Sequence, residues 1–123
     1  MMLMLAGANA TADVGDARLD QRYFRDWEQT DTVLLATALT ASALDWAQTR
    51  YIARHPDRFH EINPILGRHP SVGRVDAYFA LCGLAAVGLT AVLSKTNRRW
   101  FLAGVTVVET AFVLHNDGIG IKA

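Results

Sequence analysis

The sequence predicts an all-α protein, a bundle of three transmembrane helices behind an amphipathic or disordered amino-terminal segment. Two observations predict it. Three runs, Val33–Ala47, Tyr78–Leu93 and Trp100–Leu114, are almost free of charge, whereas a water-exposed helix of that length repeats a polar face every three or four residues. With flanking residues, as Thr32–Ile52, Val72–Ser94 and Arg98–Ile119, each reaches the roughly 20 residues that a helix needs to cross a hydrocarbon core of about 30 Å. The charges, in turn, crowd between the runs, into residues 13–31, 50–76 and 95–99. A soluble helical bundle is the competing class, favoured by the modest overall hydropathy and by Asp45 and Glu109 inside the runs. At 123 residues the chain makes one compact domain. Zero net charge and the lack of a basic patch argue against nucleic acid as a partner. The single cysteine, Cys82, cannot close an intramolecular disulfide and suits a small buried thiol.

Residues 1–29 read as a leader or signal remnant followed by an interfacial segment. Ala8-x-Ala10 and Ala10-x-Ala12 resemble a signal-peptidase site, without the positively charged start of a secretory signal. Over residues 13–31, Leu19, Tyr23, Phe24 and Trp27 recur at spacings that suit an amphipathic helix at headgroup depth, or a solvated leader with a few aromatics. The membrane domain then spans residues 30–123. Its first helix, about 31–53, is capped by Thr30 or Asp31. Ala36, Thr40, Ala43 and Ala47 offer it a small-residue packing stripe. Pro56 ends this helix by removing an amide donor and crowding the previous turn. Asn63-Pro64 then reads as a cap followed by proline at the first helical position, with Gly67 as the stop. Ile65 and Leu66 should tuck that turn against the bundle. Ser71 caps a second helix, about 72–94, with Cys82, Ala86, Thr90 and Ser94 as its small-residue stripe. Lys95–Arg99 is a tight basic connection to an antiparallel third helix, about 98–117, which stops at Gly118. The tail after it is too short to add structure. Six of the 12 basic residues fall on each side of the three spans, so the positive-inside rule gives no orientation.

An ionisable group inside a membrane helix costs a few kcal/mol and marks a functional position or a structural pairing. Asp45 and Glu109 each precede their helix end on the Glu61 side by a similar distance, so they should lie at comparable depth. If their faces converge, a shared proton or a bound cation is favoured. The pocket candidates are Asp45, Gln48 and Thr49 from the first helix, Glu61 and Asn63 from the loop, and Glu109, His115 and Asn116 from the third. The structural alternative pairs Asp45 and Glu109 with hydroxyls, amides or Arg50. No metal centre is expected: Pro64 stands four positions after His60, where a zinc-protease motif needs its second histidine, and His55, His60 and His69 match no ligand spacing. No cofactor motif and no nucleophile elbow occur.

The series Asp45-Trp46-Ala47-Gln48-Thr49, Glu61-Ile62-Asn63-Pro64-Ile65-Leu66-Gly67, His69-Pro70-Ser71 and Tyr78-Phe79 resembles a family of small uncharacterised membrane proteins of bacteria and their phages. The likeness spans roughly residues 30–120. It implies a multi-pass protein of the bacterial inner membrane and transfers no activity. The resulting expectation is a non-enzymatic binding or interaction subunit, whose partners are the lipid bilayer and another membrane protein or a second copy of the chain. The alternative is a membrane-embedded enzyme using Asp45, Glu61, Glu109 and His115.

Overall fold

The computed structural model describes residues 22–122, and the expected signal remnant lies outside them. The described chain is all-α, a bundle of α1 (Gln29–Arg54), α2 (Val72–Val92) and α3 (Lys95–Gly118), with no strand among these residues. Helix α1 is the central element: α2 and α3 both pack on it and touch each other far less.

Each boundary has a local cause. Helix α1 begins earlier than either expected cap. Glu28 is its N-cap, in a reciprocal capping box whose other half is Asp31, where the Asp31 carboxylate accepts from the Glu28 amide at 2.9 Å. Ser71 caps α2 by accepting from the Arg74 amide at 3.1 Å. Ser94 does the same for α3, accepting from the Asn97 amide at 3.4 Å. Lys95–Arg99 is therefore the first turn of α3 and not a connecting loop, because the serine starts the helix ahead of the basic run.

Of the interfacial helix expected over residues 13–31, the part through residue 21 lies outside the described residues. From Tyr23 onward the chain turns instead, with Phe24 and Asp26 at φ 53° and 50°. Such left-handed conformations are strained for these side chains and persist only when neighbours hold them. Here the Phe24 amide donates to the Ala91 carbonyl at 2.7 Å, and the Arg98 guanidinium donates to the carbonyls of Arg25 and Asp26.

The same guanidinium grips Asp31 with Nε and Nη2, each at 3.0 Å, and both side chains are 0% exposed. Arg99 Nε reaches Asp31 at 3.0 Å and its Nη2 reaches Glu28 at 3.0 Å, while Lys95 also pairs with Glu28. Arg98 further sits over the Trp27 ring, 5.0 Å from its centre. Hydrogen bonds from Arg98 hold the Asp31 carboxyl far below the usual carboxylate range; burial opposes this, and Arg99 and the Glu28 amide add to the lowering. A carboxyl lowered in the fold takes up its proton first in the unfolded chain. Its contribution is whole above the ordinary value of 3.8 and is lost progressively as pH falls below that. Melting followed by circular dichroism should therefore show the advantage of the native protein over Asp31→Asn shrinking below 3.8 and constant above it.

At the opposite end, Leu66, Val75 and Phe79 form a small apolar core with Ala53 and Tyr78 at its edge. The Asn63-Pro64 turn closes as expected, with the amides of Leu66 and Gly67 donating to the Asn63 carbonyl, each at 3.2 Å. Gly67 stops it at φ 82°, a backbone that only glycine takes without strain. Leu66 is buried there while Ile65 faces outward.

Polar side chains share the interior of the bundle with apolar ones, and large apolar side chains face outward. Asp31, Asp45, Gln48, Thr90, Arg98 and Asn116 are buried between the helices, while Leu84, Val107 and Trp100 are 72%, 69% and 75% exposed. Along α1 the inward face is Ala38, Ala41, Asp45, Gln48 and Ile52, and the expected stripe of Ala36, Thr40, Ala43 and Ala47 faces outward. Cys82 is exposed on the side of α2, not buried. Helix α2 is the one described helix long and apolar enough to cross a membrane by length and composition; α1 and α3 break their apolar runs with charge.

Candidate functional site

The buried polar cluster lies toward the Glu61 end. Spacings of three and four along α1 put Asp45, Gln48 and Thr49 on its inward side. Asn116 arrives from the last turn of α3, and its Nδ2 donates to Asp45 Oδ1 and to Gln48 Oε1, each at 3.3 Å. Thr49 Oγ1 donates to the same Asp45 oxygen at 3.4 Å. Gln48 Nε2 donates to the carbonyl of Val113 at 3.4 Å and to that of Ile121 at 3.2 Å. The tail thus adds structure after all: Ile121 folds back into the bundle, its amide donating to the Asn116 carbonyl at 2.9 Å. An apolar residue three positions past Gly118, with a buried glutamine to satisfy its carbonyl, is the signal for this docking.

Two turns before Asn116 on α3, Glu109 stands beside Asp45, close enough for the two acids to act on each other electrostatically. Helix rise puts the two acids at comparable depth. Two like charges so close in a low-dielectric interior cannot both stand bare. Among the described residues no arginine or lysine pairs with either. Arg50, the basic partner offered by the structural alternative, turns outward. It lies 3.2 Å from Asp76 and over the Trp46 ring, and the Trp46 indole donates to Asp76 at 2.8 Å.

The loop supplies a third acid. Glu61 is only 5% exposed; its Oε1 accepts from the amides of Ile62 and Asn63 at 3.0 and 2.9 Å, and its Oε2 has no partner. Its charge is within electrostatic reach of Asp45. Asn63 is held by its Oδ1, which accepts from the Ile65 amide at 3.0 Å, so its Nδ2 is free to donate to the Tyr78 hydroxyl at 3.0 Å. Tyr78 thus links the loop to α2, with Cys82 one turn along the same helix.

The structure therefore brings together Asp45, Gln48, Thr49, Glu109 and Asn116, with Glu61 and Asn63 beside them, and leaves out His115. That residue is exposed on the outer side of α3 and shares a shallow groove with His60 and Ile119. Its neighbour Asn116 takes the inward position, as the quarter-turn between them requires. Tyr78 and Ile121 are the members that sequence reasoning did not assign. Among the described residues no group of three histidine, cysteine, aspartate or glutamate side chains is arranged to hold a metal ion.

The arrangement can hold one positive charge between the carboxyls, with amides and hydroxyls fixing the orientation of Asp45. No family model, curated protein or solved structure matches the chain.

Proposed function

We propose that this chain is a small, non-enzymatic integral membrane protein of three spans that binds a singly charged cation at the Asp45–Glu109 pair. The single observation that carries the binding reading is that pair: two neighbouring acids, with Glu61 and its unpartnered oxygen within electrostatic reach and no basic side chain paired with either among the described residues. The apolar exterior supports the membrane setting, because leucine, valine and tryptophan face outward while several acids and amides take places in the interior. Length supports it too. The 26, 21 and 24 residues of the helices correspond to about 39, 31 and 36 Å of rise, enough to cross a core of about 30 Å. In α1 the charges that interrupt the apolar run are buried, as Asp31 and Asp45 are, or lie near its end, and in α3 the mid-helix Glu109 is half-buried. The resemblance drawn from the Glu61–Gly67 motif belongs with the same inner-membrane, multi-pass reading. The outward-facing His115 deprives the enzymatic alternative of its acid–base partner.

The test is thermal melting of the full chain in phosphatidylcholine nanodiscs while methylammonium chloride replaces choline chloride at constant ionic strength. A bound cation at about ten times its Kd should stabilise the protein by about 1.4 kcal/mol. The double variant Asp45→Asn/Glu109→Gln should give no shift. An equal shift in both proteins, or none in either, would remove the reading.

A further inference from the structure

The geometry points to a single-chain alkylammonium as the ligand class, its ammonium on Glu109 and its chain in the apolar cleft between α2 and α3; this rests on the cation-binding reading above.

The cleft exists because α2 and α3 both lean on α1 and barely meet. It encloses about 260 Å³, floored by Ala38 and Ser42 of α1 and walled by Gly83, Ala86 and Leu89 of α2 and by Leu102 of α3. One charged group lines it, Glu109, and that carboxyl has one buried oxygen with no hydrogen-bond partner. Behind Glu109 stands Asp45, and Glu61, more than nine-tenths buried, brings its own unpartnered oxygen within electrostatic reach of that acid. A carboxylate at one end of an otherwise apolar cleft complements a ligand with one cationic end and an apolar body. Hydroxyl or anionic amphiphiles would leave the acids uncompensated, or repel them. The same argument disfavours the aminophospholipids of a bilayer as the occupant, since their phosphate would stand near the Glu109 carboxyl that lines the cleft. Entry would be lateral, through the gap between α2 and α3.

Two features make the idea testable in the full chain. Cys82, the one cysteine in the sequence, lines the cleft. Gly83 lines it too, and a Cβ added there meets no atom within 4 Å, so Gly83→Leu can be accommodated at its root and is expected to fill the cleft. The experiment follows alkylation of Cys82 by N-ethylmaleimide in phosphatidylcholine nanodiscs, with melting of the same samples. Decylammonium at about ten times its Kd is expected to slow alkylation about ten-fold and to raise the melting temperature, at concentrations where methylammonium does neither. Decanol should have no effect. Glu109→Gln and Gly83→Leu should each lose the decylammonium response while melting as helical proteins.

Equal effects of decanol and decylammonium would reduce the cleft to a chain-filling crevice and overturn the proposal. So would an undiminished response in Gly83→Leu, or protection by phosphatidylethanolamine added to the nanodiscs. If methylammonium acts but decylammonium is no more potent, the cation reading stands and the alkyl-chain inference falls. If neither amine distinguishes native protein from Asp45→Asn/Glu109→Gln, both fall.

Discussion

Asp31→Ala is expected to be the most destabilising single substitution in the bundle, at about 3–5 kcal/mol, because it strands a fully buried guanidinium charge. Arg98 would keep its bonds to the carbonyls of Arg25 and Asp26 but lose its only buried counter-charge. The reverse change, Arg98→Ala, should cost less, since Arg99 Nε still holds Asp31 at 3.0 Å. This asymmetry separates a network from a simple pair. Replacing both residues with apolar side chains, Asp31→Leu/Arg98→Met, should recover most of the loss, as removing a whole buried ion pair often does. Thermal or denaturant melts of the four proteins in one nanodisc composition would measure this; equal costs for the two alanine variants would show that Arg99 contributes nothing. Glu28→Ala should matter far less, because surface pairs such as those it makes with Lys95 and Arg99 contribute about 0–1 kcal/mol.

The second large effect is expected at Asn116. Its Nδ2 donates to two buried acceptors, on Asp45 and on Gln48, and its backbone carbonyl anchors the tail through Ile121. Asn116→Ala leaves the Gln48 Oε1 acceptor without a donor, at about 1–3 kcal/mol for an unsatisfied buried group, while Asp45 Oδ1 keeps the Thr49 hydroxyl. The tail bond is made by the backbone and survives. Melting should therefore fall markedly while Ile121 stays docked, which hydrogen exchange at the Ile121 amide would report. Loss of protection at that amide to the same extent as melting would instead mean that the side chain, and not the main chain, holds the tail. Asp45→Asn should be milder, since an amide can still accept from Asn116 and Thr49 while donating to Glu109.

The fold was legible where one physical rule dominated. Charge-free runs locate the helices, and Pro56 and the Ser71 cap set boundaries. Where two rules competed, the weaker signal misled. Helix α1 has alanine on several sides, so small-residue spacing alone could not choose a face; the polar Asp45 and Gln48 do choose it, and Ala38 and Ala41 follow them inward. The basic run at 95–99 suggested a loop because it is charged, yet Ser94 is a competent cap and the acids Glu28 and Asp31 neutralise the turn. The deeply buried Asp31–Arg98 pair joins residues 67 apart, and no local pattern announces such a contact. His115 and Asn116 show the limit of helical counting: adjacent residues point about 100° apart, and only the packed neighbour decides which one faces in.

The membrane setting underlies the rest of the account, and one measurement tests it most directly. Cells expressing the full chain are lysed without detergent, the membranes are pelleted and washed with alkaline carbonate, and the protein is followed into pellet and supernatant. A bundle with acids and amides inside and leucine, valine and tryptophan outside is expected to stay in the washed pellet and to be released only by detergent. Recovery of folded, helical protein in the supernatant would contradict the three-span reading and return the chain to the class of soluble bundles.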